Sequence, residues 1–278
     1  MQRAVINWYK KNKRDLPWRK TTPWGVLLSE YMLQQTPVSR ALPIWNEWIK
    51  RWPTPRHLSK AKRSDVIKAW GSLGYPIRAL RLHQAATAIT TKHGNKVPNT
   101  LEDLRKLPGI GEYTAAAIYS FAFNKRALVL DINIRRLFTR AIDGKEHPPL
   151  HITNSEREAR EKLIPKDAAL FAAATMEFGA LICTSKNPRC DQCPIKNECE
   201  WRKQNYPRSP IKKKTQTWHG TNRQCRGIIL KHLRTNQFAT YSELSRLWKK
   251  KSQFEESLTA LINEGFIEKE KRKYKLAN

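Results

Sequence analysis

Four of the five cysteines fall within residues 183–199, at the spacing C-x6-C-x2-C-x5-C. They are Cys183, Cys190, Cys193 and Cys199. The N-terminal residues contain no apolar signal core, so a cytoplasmic location is expected. In a reducing compartment, a tight cysteine cluster more often holds metal than disulfides. The segment therefore predicts a metal-binding loop, whereas Cys225, outside the pattern, is expected to be an ordinary buried thiol.

The charge of the chain indicates its partner. The 278 residues include 53 Lys and Arg against 24 Asp and Glu, which gives a net charge of +29 and a pI near 10.2. A field this positive favours a polyanion, and DNA or RNA is the usual one. No run of about 18 apolar residues exists that could span a bilayer, so no membrane partner is expected. A monomer that binds nucleic acid is the prediction.

The pattern of apolar residues divides the chain into three parts. Residues 1–203 show apolar residues at three- and four-residue spacing, which predicts an all-α region. Residues 204–225 contain basic residues but no Asp or Glu, which is typical of a flexible linker. Residues 226–278 predict three short helices and a β-hairpin, which together suggest a winged-helix-like α+β module.

Two motifs in the helical region could carry chemistry. The segment Leu107–Gly111 reads LPGIG between two helical runs, and its glycines Gly109 and Gly111 allow a tight turn whose N–H groups suit a DNA phosphate. After the apolar run Leu128–Leu130, Asp131 stands at the start of a basic helix. Asp is a common helix N-cap, so either motif alone is weak evidence of function. A hairpin followed by this aspartate is far more specific.

LPGIG, Asp131 and the cysteine spacing together resemble the helix–hairpin–helix DNA glycosylases of the endonuclease III and MutY type. The resemblance covers residues 1–203 and is most specific in the cysteine loop. It implies two helical domains, Asp131 as the catalytic carboxylate, and a [4Fe–4S] cluster bound by the four cysteines. Four thiolates are the usual ligands of such a cluster. Zinc is the alternative, but zinc modules usually show two separated C-x2-C pairs.

Position 113 distinguishes two mechanisms within this superfamily. Endonuclease III-like enzymes carry a lysine there, whose amine attacks the sugar and then cuts the strand. Tyr113 cannot form a Schiff base, so a monofunctional glycosylase is predicted. The N-terminal SEYMLQQT segment resembles MutY-type adenine glycosylases, which implies Glu30 as the general acid. The same resemblance implies that Tyr113 and Asn133 position Asp131 and the reacting sugar.

The resemblance also implies how an extruded adenine and its duplex are held. Gln35 would wedge into the gap left by the base, and Tyr75 would intercalate on the side of the damaged guanine. The residues expected to line the adenine pocket are Trp18, Arg19, Leu33 and Glu177. Packing in a core is the alternative role for Trp18 and Tyr75, because the chain has ten tryptophans. The predicted substrate is adenine opposite 8-oxoguanine or guanine in double-stranded DNA.

Two other functions fit part of the pattern. G:T or G:U mismatch thymine or uracil glycosylases of the same superfamily also carry Tyr before Thr and a matching glutamate. An iron–sulfur winged-helix transcription regulator would account for the charge and the cysteines, but needs neither Asp131 nor Glu30. The chain departs from the MutY pattern at Pro76 and Ile132, and in a winged-helix-like module where MutY proteins often have a Nudix-like domain.

Overall fold

A computed structural model of the chain describes residues 1–209 and 217–278. The predicted linker, residues 204–225, therefore lies partly outside the described residues. Its last residues differ from the prediction, because a helix begins at Asn222 under the side-chain cap of Thr221. Within the described ranges, no helix combines the length and the apolar character needed to cross a membrane.

Helices dominate the described chain, as the apolar spacing predicts, and short 3-10 turns occur at Pro17–Arg19 and Cys190–Gln192. In chain order the helices are α1 (Gln2–Asn12), α2 (Pro23–Leu33), α3 (Val38–Arg51), α4 (Pro55–Ser59), α5 (Arg63–Trp70), α6 (Ile77–Lys92), α7 (Leu101–Arg105), α8 (Glu112–Phe123), α9 (Ile132–Ala141), α10 (Asn154–Glu161), α11 (Ala168–Leu181), α12 (Glu200–Lys203), α13 (Asn222–Thr235), α14 (Tyr241–Ser245) and α15 (Lys251–Asn263).

The described chain forms two compact units. The first contains Met1–Glu30, Pro98–Lys106 and residues 110–209. The second contains Tyr31–Val97, Leu107–Gly109 and residues 217–278. Helix α2 and the LPGIG segment each contribute residues to both units.

The core of the first unit forms where α9 packs against α11. Phe138 and Phe171 belong to one apolar cluster there, and Leu137 and Phe178 belong to another. The helices approach closely at Gly179, where an added Cβ would lie 2.6 Å from the carbonyl oxygen of Asn133. Only glycine fits at that contact without displacing backbone. The close approach fixes the start of α9, where the candidate site lies.

A buried arginine organises two turns of the second unit. Arg78 donates hydrogen bonds to backbone carbonyls or a hydroxyl in residues 31–36 and to the carbonyls of residues 73–74. Burial lowers the pKa of its guanidinium to about 10. These two turns contain Gln35 and Tyr75, which have positive φ angles of 56° and 44°. Arg78 therefore holds two strained backbone positions with one side chain.

The C-terminal residues form the predicted winged-helix-like module, with one strand more than the sequence indicated. Helices α13–α15 accompany three antiparallel strands in the order β1-β3-β2, which are β1 (Ala239–Thr240), β2 (Ile267–Glu270) and β3 (Lys273–Leu276). Residue pair Ile267 and Leu276 sets the register of the hairpin. Cys225 is buried in the module's apolar core, as expected.

Candidate active site and cysteine loop

Glu30 is buried in an apolar helix. Residues 24–32 of α2 are all buried, and the Glu30 residue is only 7% exposed. Burial disfavours the ionised carboxylate and raises its pKa from 4.5 to about 7. The Tyr113 hydroxyl lowers this pKa by hydrogen bonding, and the charge of Asp131 raises it. The side chain is therefore able to carry a proton at neutral pH.

Tyr113 stands in the first turn of α8 and contacts the acid directly. Its hydroxyl donates to Glu30 Oε2 at 3.4 Å. Burial, followed by the negative charges of Glu30 and Asp131, raises the pKa of the phenol well above its ordinary value. The residue therefore stays a neutral donor. Its hydroxyl thus contacts Glu30, whereas the resemblance implied a role in positioning Asp131.

Asp131 is the N-cap of α9, and both carboxylate oxygens are engaged. Oδ1 accepts from the backbone N–H of Ile134 at 2.6 Å, and Oδ2 accepts from Asn133 Nδ2 at 2.6 Å. Burial raises its pKa, while these hydrogen bonds and the charge of Arg136 oppose the rise by favouring the anion. The departure Ile132 is 53% exposed. The aspartate is thus both a helix cap and an oriented carboxylate.

The two carboxyl groups lie in the same unit and interact electrostatically, but their surroundings differ. Glu30 lies in an apolar helix and accepts a hydrogen bond from Tyr113. Asp131 has the backbone N–H groups of a helix start and the amide of Asn133. Burial raises the pKa of both groups, but hydrogen bonds to both Asp131 oxygens favour its anion, which suits the pair to acid and anion roles in one reaction.

The hairpin glycines have different physical roles. At Gly109, where φ is +82°, an added Cβ would lie 3.0 Å from both Tyr31 and Arg81. Tyr31 also donates its hydroxyl to the carbonyl of Pro108. Gly111 has an ordinary φ of −93° as the N-cap of α8, is exposed, and an added Cβ would meet nothing within 4 Å. Protein packing requires glycine at 109 but not at 111.

Three of the expected pocket residues lie in the first unit. Glu177 is buried, pairs with Arg14 at 2.6 Å and pairs with Arg19 at 3.0 Å. Burial alone would raise the pKa of Glu177, but hydrogen bonds from Arg14 and the charge of Arg19 outweigh burial and lower it. Trp18 is half-buried in the 3-10 turn beside Arg19. Leu33, the fourth, ends α2 in the second unit and is half-buried.

The two residues expected to enter the duplex are accessible. Gln35 and Tyr75 belong to the second unit and are both exposed, with 44% exposure for the Tyr75 residue. Both have left-handed backbone conformations, which non-glycine residues adopt rarely. Strain of this kind often marks a functional position.

The four cysteines line one cavity together with Leu137, Arg140, Ile195 and Trp201. Burial, followed by the other three cysteines, raises the pKa of Cys193 to about 11, although a hydrogen bond from Ile195 opposes the rise. Across the described residues, no three His, Cys, Asp or Glu side chains form a site for a single metal ion. Four thiols around a shared cavity fit an iron–sulfur cluster, for which four cysteine thiolates are the usual ligands.

Two arginines of α9 secure the cysteine loop. Arg136 donates to the carbonyl of Cys183 at 2.7 Å, and Arg140 donates to the carbonyl of Thr184 at 2.7 Å. Arg140 also approaches Cys183 Sγ at 3.6 Å and lies 4.4 Å from the Trp201 ring. Arginine near thiolates offsets the negative charge that a four-cysteine site concentrates in the protein.

The structure also reveals contacts of four arginines that the sequence did not indicate, namely Arg14, Arg78, Arg136 and Arg140. Each binds partners far away in sequence. A local signal did exist in α9, because Arg136 and Arg140 are four residues apart at positions where the helical spacing of the buried face calls for apolar residues.

Family models match two parts of the chain. Residues 28–165 match the HhH-GPD superfamily of base excision DNA repair proteins. Residues 183–199 match the iron–sulfur binding domain of endonuclease III. The second match confirms that the cysteine loop is an iron–sulfur loop for a [4Fe–4S] cluster.

Similar proteins agree with these matches. An adenine DNA glycosylase of Mycolicibacterium smegmatis is 41% identical over 270 residues, which cover 95% of this chain and 91% of that protein. One from Mycobacterium tuberculosis is 43% identical over 250 residues, covering 88% and 82% respectively. The structure of a thermostable thymine-DNA glycosylase aligns with a TM-score of 0.67 and 27% identity, over 73% of this chain and 94% of that one. With its helix–hairpin–helix fold, its pair of carboxyl groups and its cluster loop, the chain belongs to the adenine DNA glycosylase family.

Proposed function

We propose that the protein is a monofunctional DNA glycosylase that hydrolyses the N-glycosidic bond of adenine mispaired with 8-oxoguanine or guanine in double-stranded DNA. One observation carries the proposal: Glu30, with a pKa of about 7, lies in the same unit as the hydrogen-bonded carboxylate of Asp131 and interacts with it. We further propose that it acts as a monomer.

Glu30 supplies the proton. Adenine is a poor leaving group as an anion, and protonation of a ring nitrogen makes the departing base neutral. A carboxyl group with a pKa near the working pH is efficient in this role, because it is both available as an acid and able to release the proton. Tyr113 holds the Glu30 carboxyl group at 3.4 Å.

Asp131 stabilises the sugar. Loss of the base leaves positive charge at the anomeric carbon, and a fixed carboxylate stabilises that charge or adds to it before water attacks. Asn133 and the Ile134 N–H hold the carboxylate in place. This division between an acid and an anion parallels that of glycoside hydrolases, in which two carboxyl groups have opposite protonation states.

Tyr113 also accounts for the absence of strand cleavage in the proposal. Cleavage by the Schiff-base route needs an amine at this position, and a phenol cannot supply one. The proposed hydrolysis uses no residue of the cysteine loop. Its four cysteines would hold the cluster, which would fix a loop whose exposed Lys186, Arg189 and Lys196 suit contacts with DNA phosphates.

The remaining expected residues would hold the DNA. Gly111 offers an exposed helix start with open space above it, which suits a backbone phosphate. Gln35 is accessible and would fill the gap left by the extruded adenine, and Tyr75 is accessible and would intercalate on the side of the opposing guanine. In the pocket, the ion pairs of Glu177 with Arg14 and Arg19 would fix the surface beside Trp18.

The likeness to a thymine-DNA glycosylase structure supports a second candidate, removal of thymine from G:T mismatches. A base-release assay on A:8-oxoguanine, A:G, G:T and G:U duplexes under single-turnover conditions separates the two. We expect release from the two adenine duplexes, and strand breaks only after alkaline treatment. Release from G:T or G:U alone would overturn the proposal, and breaks without alkali would overturn its monofunctional part.

A further inference from the structure

The winged-helix-like module is fixed to the rest of its unit by apolar packing and hydrogen bonds. Ile229 of α13 belongs to the same buried cluster as Ile67 and Leu80, from α5 and α6. Arg234 donates to the carbonyl of Ile67 at 3.1 Å, and Arg63 donates to the carbonyl of Gly265 at 3.0 Å. These contacts fix the position of the module relative to α5 and α6 and therefore relative to the turn that contains Tyr75.

Arg223, at the start of α13, joins two exposed aromatic residues. Its Nη1 donates to the Tyr75 hydroxyl at 3.2 Å, and its Nη2 donates to the carbonyl of Thr217 at 3.2 Å. Its guanidinium lies 5.4 Å from the Trp218 ring. Arg78 lies 5.9 Å from the Tyr75 ring. One guanidinium thus holds Tyr75 and Trp218 as neighbours.

Trp218 has protein neighbours on one side and remains accessible to solvent. Its ring lies near Gly227, where an added Cβ would be 3.8 Å from Cη2, one helical turn beyond Arg223. The Trp218 residue nevertheless remains 47% exposed, and Tyr75 remains 44% exposed. Exposed aromatic side chains held beside an arginine are the feature on which nucleobases stack, because every base has a π-face.

We propose that Trp218, Arg223 and Tyr75 form a stacking site for the purine that is left unpaired opposite the extruded adenine. The site rests on the proposed function, since extrusion leaves a purine without its partner. Tyr75 and Trp218 supply aromatic surface to that purine, and Arg223 keeps the two side chains in register. The module therefore senses the opposing base and does more than add charge.

The test compares binding to duplexes that differ only opposite the adenine. The adenine position carries a fluorinated deoxyadenosine that resists cleavage, and the opposing position carries 8-oxoguanine, guanine or an abasic residue. Trp218→Ala and Arg223→Ala are compared with Phe238→Ala and Arg272→Ala, which remove an exposed aromatic ring and an exposed arginine elsewhere in the module.

We expect Trp218→Ala and Arg223→Ala to raise Kd for the purine duplexes about tenfold, which lies within the range for one stacked base. With the abasic duplex they should match the two control variants. Arg223→Lys should behave like Arg223→Ala, because an ammonium cannot replace the planar guanidinium. An equal loss of affinity for all three duplexes would indicate a general charge effect and overturn the proposal. Unchanged affinity of Trp218→Ala for the purine duplexes would also overturn it.

The wild-type protein is assayed for adenine release in the same preparation. If adenine is released and the variants show no purine-dependent loss, the stacking site alone is refuted. If no adenine is released from any duplex, the proposed function fails, whatever the variants bind.

Discussion

Replacing Glu30 by Gln should make the protein more stable at alkaline pH while it removes the acid. The pKa of Glu30 is raised from 4.5 to about 7 by burial, so the folded state resists its ionisation. Well below pH 4.5 the carboxyl is protonated in both the folded and the unfolded state, so it costs no stability. Between pH 4.5 and about 7 the unfolded state has ionised while the folded state keeps its proton, so the free energy of unfolding falls as pH rises through this range. A rise of this size corresponds to about 3 kcal/mol of unfolding free energy lost above pH 7. Gln never ionises and avoids this loss.

The assay is denaturant unfolding of the intact, cluster-loaded protein at a series of pH values. The wild-type and Glu30→Gln curves should give similar midpoints in acid and should diverge with rising pH, with the variant more stable. Glu47→Gln, an exposed carboxylate replaced in the same way, serves as the control and should follow the wild type throughout. Parallel curves for wild type and Glu30→Gln would show that the buried carboxyl does not titrate as argued.

The same titration should govern catalysis. Single-turnover release of adenine by the wild type should fall as pH rises through about 7, because only the protonated form of Glu30 donates a proton. Glu30→Gln should be inactive at every pH while binding DNA normally. A wild-type rate that is constant from acid to well above neutral pH would remove Glu30 from the proton transfer.

Three further predictions test other parts of the site. Tyr113→Phe should move the alkaline decline in release to higher pH, because the Tyr113 hydroxyl lowers the Glu30 pKa; a decline at lower pH would contradict this. Asp131→Asn should reduce release at least about a hundredfold with little change in melting temperature or duplex Kd, because Asn keeps a helix cap but loses the charge; a parallel loss of binding would make Asp131 a structural cap only. Gly179→Ala should lower the free energy of unfolding by about 1–3 kcal/mol and also reduce adenine release, because its Cβ would lie 2.6 Å from the Asn133 carbonyl oxygen. Gly111→Ala, whose Cβ would meet open space, should keep the stability of the wild type. Equal melting temperatures for the two variants would refute the packing argument.

Local patterns were sufficient to predict the helical class, the winged-helix-like module and the cysteine loop. Helical spacing indicates burial on one side of a segment, and cysteine spacing indicates a shared ligand site. Both patterns are local in sequence, so they can be interpreted without knowing the distant contacts. Asp131 at the start of α9 was predictable as a cap from its place after an apolar run. The two-residue strand β1 was not, because it exists only through pairing with β3.

The roles of Arg14, Arg78 and Arg223 could not be predicted from the sequence. The partners of Arg78 are mostly backbone carbonyls. Because every residue has a carbonyl, the residue types in the sequence do not indicate which ones Arg78 contacts. Arg223 bonds to Tyr75 across 148 positions of sequence. Similarly, Glu30 in isolation would be read as a solvated helix residue; its protonation depends on burial that only the packed structure provides.

Helix α9 connects the cysteine loop to the candidate active site. Asp131 caps its N-terminus, and Arg136 and Arg140 further along the helix donate hydrogen bonds to backbone carbonyls of the loop. A change in the cysteine loop would therefore act on the helix whose first turn orients the Asp131 carboxylate.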